Sequence, residues 1–203
     1  MPVQSLLIGI TGGMGAGKST VATLYREQGY PVLSADEIAR EIVSPGAPAL
    51  SEIAKLFGTE SLAPDGTLNR SYVREKIAQD PDLRRKLERI THPRIQNRSL
   101  FLARQAFGQG ARLVFYEAPL LFEAKSDSKM DKVICVRADD NLRLQRIMDR
   151  DDCSREQALL LLSSQMSQEE KIRRSDYLID NSGTENELKK KALALLNKLS
   201  PKN

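Results

Sequence analysis

Short apolar runs recur along this chain, each closed by a turn residue or the start of a helical pattern. Leu6-Leu7-Ile8-Gly9-Ile10 comes first, followed by Pro31-Val32-Leu33 and Arg112-Leu113-Val114-Phe115-Tyr116-Glu117. Lys132-Val133-Ile134-Cys135-Val136 and Tyr177-Leu178-Ile179-Asp180-Asn181 complete the set. Continuous apolar runs of this length suit strands of a parallel sheet that is buried on both faces. Helical patterns separate them. One starts in the stretch after Ser19 and stops near Gly29. Ser34 with Glu37, Ser154 with Gln157 and Thr184 with Glu187 have the spacing of capping boxes, so each pair predicts a helix start. Asp139 or Asp140 can cap another helix, through Leu142, Leu144 and Ile147. The last helix runs to about Leu199.

Between the second and third strands the pattern changes. Ser44-Pro45-Gly46-Ala47-Pro48 and Ala63-Pro64-Asp65-Gly66 are turn clusters. Ser51 to Gly58 reads as a short helix with a glycine stop. Asn69 can cap a helix through Ile77, and Asp80-Pro81 is an N-cap followed by proline at the first helical position. Thr91-His92-Pro93-Arg94-Ile95 predicts an interruption, because proline restricts the residue before it and starts a new helix well. That new helix is expected to reach about Phe107. The order β-α-β, helical insertion, β-β-α, lid, β-α predicts an α/β fold with a doubly wound parallel sheet. The expected division is a core of about 1–43, 111–145 and 175–203, an insertion of about 44–110, and a lid of about 146–174.

Composition narrows the partners. A chain of 203 residues with 40% hydrophobic and 29% charged residues is an ordinary soluble unit. Its net charge of +4 suits an anionic small ligand. The Lys and Arg residues are spread out and form no stripe, so a nucleic-acid partner is not expected. Cys135 and Cys153 lie far apart and outside any C-x-x-C pattern, which implies neither a metal site nor a disulfide. Reduced thiols in the cytoplasm are the expectation. No run is long enough for a membrane span, and no signal peptide is expected.

Candidate chemistry begins at Gly12-Gly13-Met14-Gly15-Ala16-Gly17-Lys18-Ser19. This stretch fits the phosphate-loop pattern G-x-x-x-x-G-K-[ST] in its required place between a strand and a helix. Glycines let backbone N–H groups turn inward around phosphate oxygens, and the new helix points its positive end at the same anion. Lys18 can reach terminal phosphates. The Ser19 hydroxyl is a hard ligand suited to Mg²⁺. Asp36, just past a strand end, is either a helix-dipole partner or an active-site carboxylate. Glu117 closes the third strand, where phosphate-loop proteins often hold an acid near Mg²⁺. Cys135 reads as a small core residue. Arg146, Arg150, Arg155, Arg173 and Arg174 cluster in the segment read as a phosphate-covering lid.

These stretches together resemble the dephospho-CoA kinase family over about residues 5 to 183. The residues that carry the resemblance are Thr11 to Thr20, Ala35-Asp36-Glu37-Ile38-Ala39-Arg40 and Pro45 to Leu50. They continue through His92-Pro93-Arg94-Ile95, Pro119-Leu120-Leu121-Phe122-Glu123, Arg150-Asp151-Asp152 and Ile179-Asp180-Asn181. The phosphate loop is common to many kinases, whereas its combination with D-x-I-A-R, H-P-x-I and P-L-L-F-E is specific. The resemblance implies transfer of the ATP γ-phosphoryl group to the ribose 3′-hydroxyl of dephospho-CoA, with Mg²⁺. It implies that Gly13, Gly15, Ala16, Gly17, Lys18, Ser19 and Thr20 hold the nucleotide phosphates, with Asn181 near the adenine. It implies that Asp36 and Lys18 are catalytic, aided by the lid arginines Arg150 and Arg146. Asp36, Arg40, His92, Pro93, Ile95 and Leu121 then serve the acceptor, and Ser19 and Glu117 the metal. The family usually reads D-A-D where this chain has Ser34-Ala35-Asp36, and often has Asp where this chain has Glu117.

Three other readings compete. Another small-molecule kinase shares the core, but H-P-x-I and the size of the insertion argue against it. A GTP-dependent switch protein lacks its N-K-x-D signal here, and a nucleic-acid module lacks a basic stripe. The expectation is therefore a cytoplasmic small-molecule kinase, a monomer or weak homo-oligomer with no membrane or nucleic-acid partner.

Overall fold

The computed structural model describes residues 5–200. Strands β1 (Leu6–Thr11), β2 (Val32–Ser34), β3 (Leu113–Glu117), β4 (Lys132–Arg137) and β5 (Tyr177–Asp180) form one sheet in the order β2-β3-β1-β4-β5. Every pairing is parallel. The doubly wound sheet expected from the apolar runs is present. Strand β1 is central, between β3 and β4; the chain passes from it to the edge strand β2, returns to β3 and then crosses to β4 on the other side, so the carboxyl end of β1 is the switch point where open α/β sheets bind ligands.

Helices α1 (Lys18–Glu27) and α9 (Glu185–Leu199) pack on this sheet. Ile8, Ile10, Phe115, Ile134 and Val136 from the strands meet Val21, Tyr25, Leu188 and Leu196 from the helices in one buried cluster. Tyr25 is fully buried, with its ring 4.5 Å from that of Phe115. Its hydroxyl donates to the Ala192 carbonyl at 3.1 Å, so burial leaves no orphaned polar atom there. The capping boxes at Ser154 and Thr184 are formed as their spacing predicts.

The described residues divide into two compact units, one of residues 5–34 and 103–200, the other Ala35–Leu102. The second unit holds α2 (Ala35–Glu41), α3 (Pro48–Phe57), α4 (Arg70–Gln79) and most of α5 (Pro81–Gly108). Its own core joins Val43, Ile53, Phe57 and Val73, with Leu83, Leu87 and Ile90 of α5 against them. The interruption expected at His92-Pro93 does not occur, because α5 runs unbroken through Pro93. Proline takes one donor from the helix interior. Side chains add donors there: Arg94 Nη1 donates to the Ile90 carbonyl at 2.6 Å and Thr91 Oγ1 to Leu87 at 3.0 Å. The apolar stripe of Leu83, Leu87 and Ile90 also secures the helix against its neighbours, which local propensity cannot register.

In the first unit, α6 (Asp140–Asp151), α7 (Arg155–Ser163) and α8 (Gln168–Arg173) follow β4. The short α8 was not anticipated. It carries Lys171, which is fully buried, with Nζ 2.9 Å from Glu123 and 2.7 Å from the Pro119 carbonyl. The Glu123 carboxylate also accepts from the Met166 backbone N–H at 3.0 Å. One buried ion pair therefore ties the segment after β3 to α8.

Two predictions follow from this packing. Removing one partner of a buried pair leaves an uncompensated charge, so Lys171→Met should cost about 3 kcal/mol in chemical denaturation. The double variant Lys171→Met with Glu123→Gln should recover part of that loss, and equal instability of both variants would argue against a pairing energy. Separately, burial pushes the Cys135 thiol up to about 11, against the pull of Lys171, Lys18 and Arg143. The thiolate is the reactive form, so near neutral pH a thiol reagent should label the half-buried Cys153 first. Cys135 should be labelled on unfolding. Fast double labelling of the folded chain would contradict this packing.

Candidate active site

The strand register lines up Ile10, Glu117 and Ser34 at the carboxyl edge of the sheet. Glu117 closes β3 between Ile10 of β1 and Ser34 of β2. One residue beyond Ile10, Thr11 ends β1 and the phosphate loop begins. Asp36 follows Ser34 by two residues and is exposed in the first turn of α2.

The phosphate loop is held by its carbonyl groups. Lys18 Nζ donates to the Gly13 carbonyl at 3.0 Å, and Arg143 Nε to the Met14 carbonyl at 3.0 Å. Arg146 Nη1 donates to Gly15 at 3.2 Å, and Asn181 Nδ2 to Ala16 at 2.9 Å. Four successive carbonyls are thus each claimed by a side chain. In a planar trans peptide the next N–H points away from the carbonyl. Drawing these oxygens toward side-chain donors therefore turns the N–H groups of Gly15 and Gly17 to the other side. The Ala16 N–H closes the turn onto Gly13 at 3.2 Å. N–H groups turned in this way at Gly15 and Gly17, just ahead of the first turn of α1, suit an anion site.

Close approaches explain the glycines of this loop, and at Gly12, Gly15 and Gly17 a positive φ adds to them. Gly17 has φ 92° as the residue before α1, and a Cβ there would lie 2.2 Å from Asn181 Nδ2. A Cβ on Gly13 would lie 2.2 Å from Arg143 Nη2. Gly15, beside them, rests against the first turn of α6, and Thr20 is exposed on α1.

Lys18 is 8% exposed in this conformation, and Asn181, expected near adenine, is 5% exposed with its amide on the loop. Arg150 is exposed and makes a two-point contact with Asp151, Nε and Nη2 each at 2.7 Å. Leu121, expected at the acceptor, is fully buried and lies over Gly9 of β1, whereas Leu120 beside it is 40% exposed.

The remaining acceptor residues belong to the second unit. Asp36 and Arg40 are exposed on α2, and His92, Pro93 and Ile95 lie within α5. An ion pair of 2.7 Å between Glu41 and Arg98 joins these two helices.

Arg143 and Gln165 were not anticipated, although both touch the loop. The spacing of Arg143 and Arg146, three apart after the Asp139 cap, places them on one helix face and could have flagged the first. No local signal marks Gln165, which acts on Met14 from 151 residues away.

Among the described residues, no group of three or more His, Cys, Asp or Glu could hold a metal. The Ser19 hydroxyl and the Glu117 carboxylate are nevertheless hard oxygen donors. That set suits Mg²⁺, which takes few protein ligands beside phosphate oxygens and water. No helix among the described residues is long and apolar enough to cross a membrane.

The family model for dephospho-CoA kinase matches residues 6–187. A dephospho-CoA kinase of Syntrophotalea carbinolica is 44% identical over 200 residues, covering 97% of this chain and 93% of that protein. A crystal structure from Thermus thermophilus superposes with a TM-score of 0.83 at 34% identity, covering 98% of this chain and 100% of the other. The dephospho-CoA kinase of Campylobacter jejuni gives a TM-score of 0.74 at 28% identity over 96% of both chains. With a phosphate loop at the switch point of its sheet and a family match over nearly its whole length, this chain belongs to the dephospho-CoA kinase family, whose members are ATP-dependent phosphotransferases.

Proposed function

We propose that this chain transfers the γ-phosphoryl group of ATP to the ribose 3′-hydroxyl of dephospho-CoA, giving CoA and ADP. The observation that carries the reading is the phosphate loop, with its carbonyls held by Lys18, Arg143, Arg146 and Asn181. Such a loop binds a polyphosphate, and family membership supplies the acceptor.

Phosphoryl transfer has a loose transition state, so positioning and charge neutralisation carry most of the catalysis. In this reading the loop amides and the start of α1 orient the ATP phosphates. Lys18 leaves the Gly13 carbonyl to meet them. Asp36, exposed and free to approach a ligand, orients the 3′-hydroxyl and accepts its proton. Arg40, His92, Pro93 and Ile95 bind the acceptor, and Arg150, with Arg146, meets phosphate charge from the lid. Ser19 and Glu117 would hold Mg²⁺, which when bound neutralises charge on the phosphates. Cytoplasmic location and a monomeric or weakly associating state complete the reading. The free thiols of Cys135 and Cys153 are in keeping with a reducing compartment.

A coupled ADP-release assay tests the proposal. Release should depend on dephospho-CoA and yield a product heavier by one phosphoryl group. Stimulation by a nucleoside in place of dephospho-CoA would overturn the acceptor. Loss of a positioned general base typically costs at least about 100-fold, so Asp36→Asn should lower kcat by that factor. Lys18→Ala should do the same, and neither change should lower the melting temperature enough to explain the loss. Near-normal turnover in either variant would remove that residue from the mechanism. Chelation of divalent cations should stop turnover, with recovery on adding Mg²⁺ and no change in the melting curve.

A further inference from the structure

Met14, within the phosphate loop, is held through its N–H, its carbonyl and its side chain by the segment between β4 and β5. Its N–H donates to Gln165 Oε1 at 3.2 Å, and its carbonyl accepts from Arg143 Nε at 3.0 Å. Its side chain packs on the cluster of Leu144, Ile147 and Ala158, which joins α6 to α7. We infer that Arg143 and Gln165 are positioning residues that lock the phosphate loop to the α6–α8 segment, so that affinity for the ATP phosphates depends on how this segment docks.

Arg143 is built for that role. It is 7% exposed, and its Nη1 is fixed by Asp140 at 2.7 Å. With one edge spent on Asp140 and Nε on Met14, the guanidinium acts as a strut. A Cβ on Gly13 would lie 2.2 Å from Arg143 Nη2, and one on Gly15 would lie 2.7 Å from the Arg143 backbone carbonyl oxygen. The loop therefore rests directly on the first turn of α6.

Gln165 is fixed from the other side. It precedes Met166, whose N–H is held by Glu123, which in turn pairs with the buried Lys171. Contacts thus run from Lys171 through Glu123 and Met166 to Gln165 and the loop. Removing either brace frees a peptide plane beside Met14 to rotate. Rotation of the plane between Met14 and Gly15 would turn a carbonyl oxygen, in place of an N–H, toward the bound phosphates, and that oxygen would repel them.

The inference rests on the phosphate-loop reading above, and the test separates the two. Arg143→Met and Gln165→Met, in the full chain, keep side-chain volume and remove the hydrogen bonds. Equilibrium binding of ATP and of inorganic tripolyphosphate would be measured, with KM for both substrates and melting without nucleotide. Hydrogen bonds of this class are worth about tenfold in affinity, so each variant should bind ATP and tripolyphosphate about tenfold more weakly. The KM for dephospho-CoA should stay within about twofold, a split that general loosening of the fold would not produce. ATP affinity within about twofold of the parent in both variants would overturn the brace while leaving the kinase reading intact. A loss shared equally by dephospho-CoA would overturn it too. Failure of the parent chain to bind ATP would overturn both readings. Should Arg143→Met not fold, Gln165→Met, at a half-buried site, decides the matter alone.

Discussion

A backbone that binds an anion must turn its carbonyl oxygens away from it and satisfy them elsewhere. That constraint organises the first unit of this protein. The carbonyls of Gly13, Met14, Gly15 and Ala16 are met by Lys18, Arg143, Arg146 and Asn181, which come from α1, α6 and the end of β5. Elements distant in sequence are thus arranged to supply donors to one turn. The parallel sheet makes this possible, because β1, β4 and β5 all end on the same edge. The loops and helices that follow them then converge.

Buried cations near the loop also create a field. Lys18, Lys171 and Arg143 are each less than a tenth exposed, and all three act on the thiol of Cys135. Burying cations is costly unless they are paired or hydrogen-bonded. Lys171 has Glu123, Arg143 has Asp140, and Lys18 bonds to the Gly13 carbonyl. A hydrogen bond from a cation to a phosphate oxygen is stronger than one to a carbonyl. Positive charge held in a poorly solvated setting before the ligand arrives needs little reorganisation during the reaction.

The second unit follows different rules. Its stability comes from helix faces around Val43, Ile53, Phe57 and Val73, and its longest helix tolerates an internal proline. Packing along Leu83, Leu87 and Ile90 outweighs the missing hydrogen bond, and side-chain donors at Thr91 and Arg94 add bonds around the defect. Because helices α2 and α5 are joined by Glu41 and Arg98, the motif around Asp36 and the motif at His92 belong to one framework.

Local chemistry along the chain is enough to place the strands, most helix starts and the phosphate loop. These are local: apolar runs, capping boxes and glycine spacing act within a few residues, and their signals survive without the fold. The family resemblance came from the same short motifs. Tertiary structure decided the rest. It carried α5 through Pro93, buried Leu121 over Gly9, and brought Gln165 to Met14 across 151 positions. It also decided which arginines touch the loop: Arg143 and Arg146 reach its carbonyls, while Arg150 lies on Asp151. A side chain's type is written in the sequence, but its partner is settled by which helix face packs inward. That is a property of the whole core, and no window of neighbouring residues contains it.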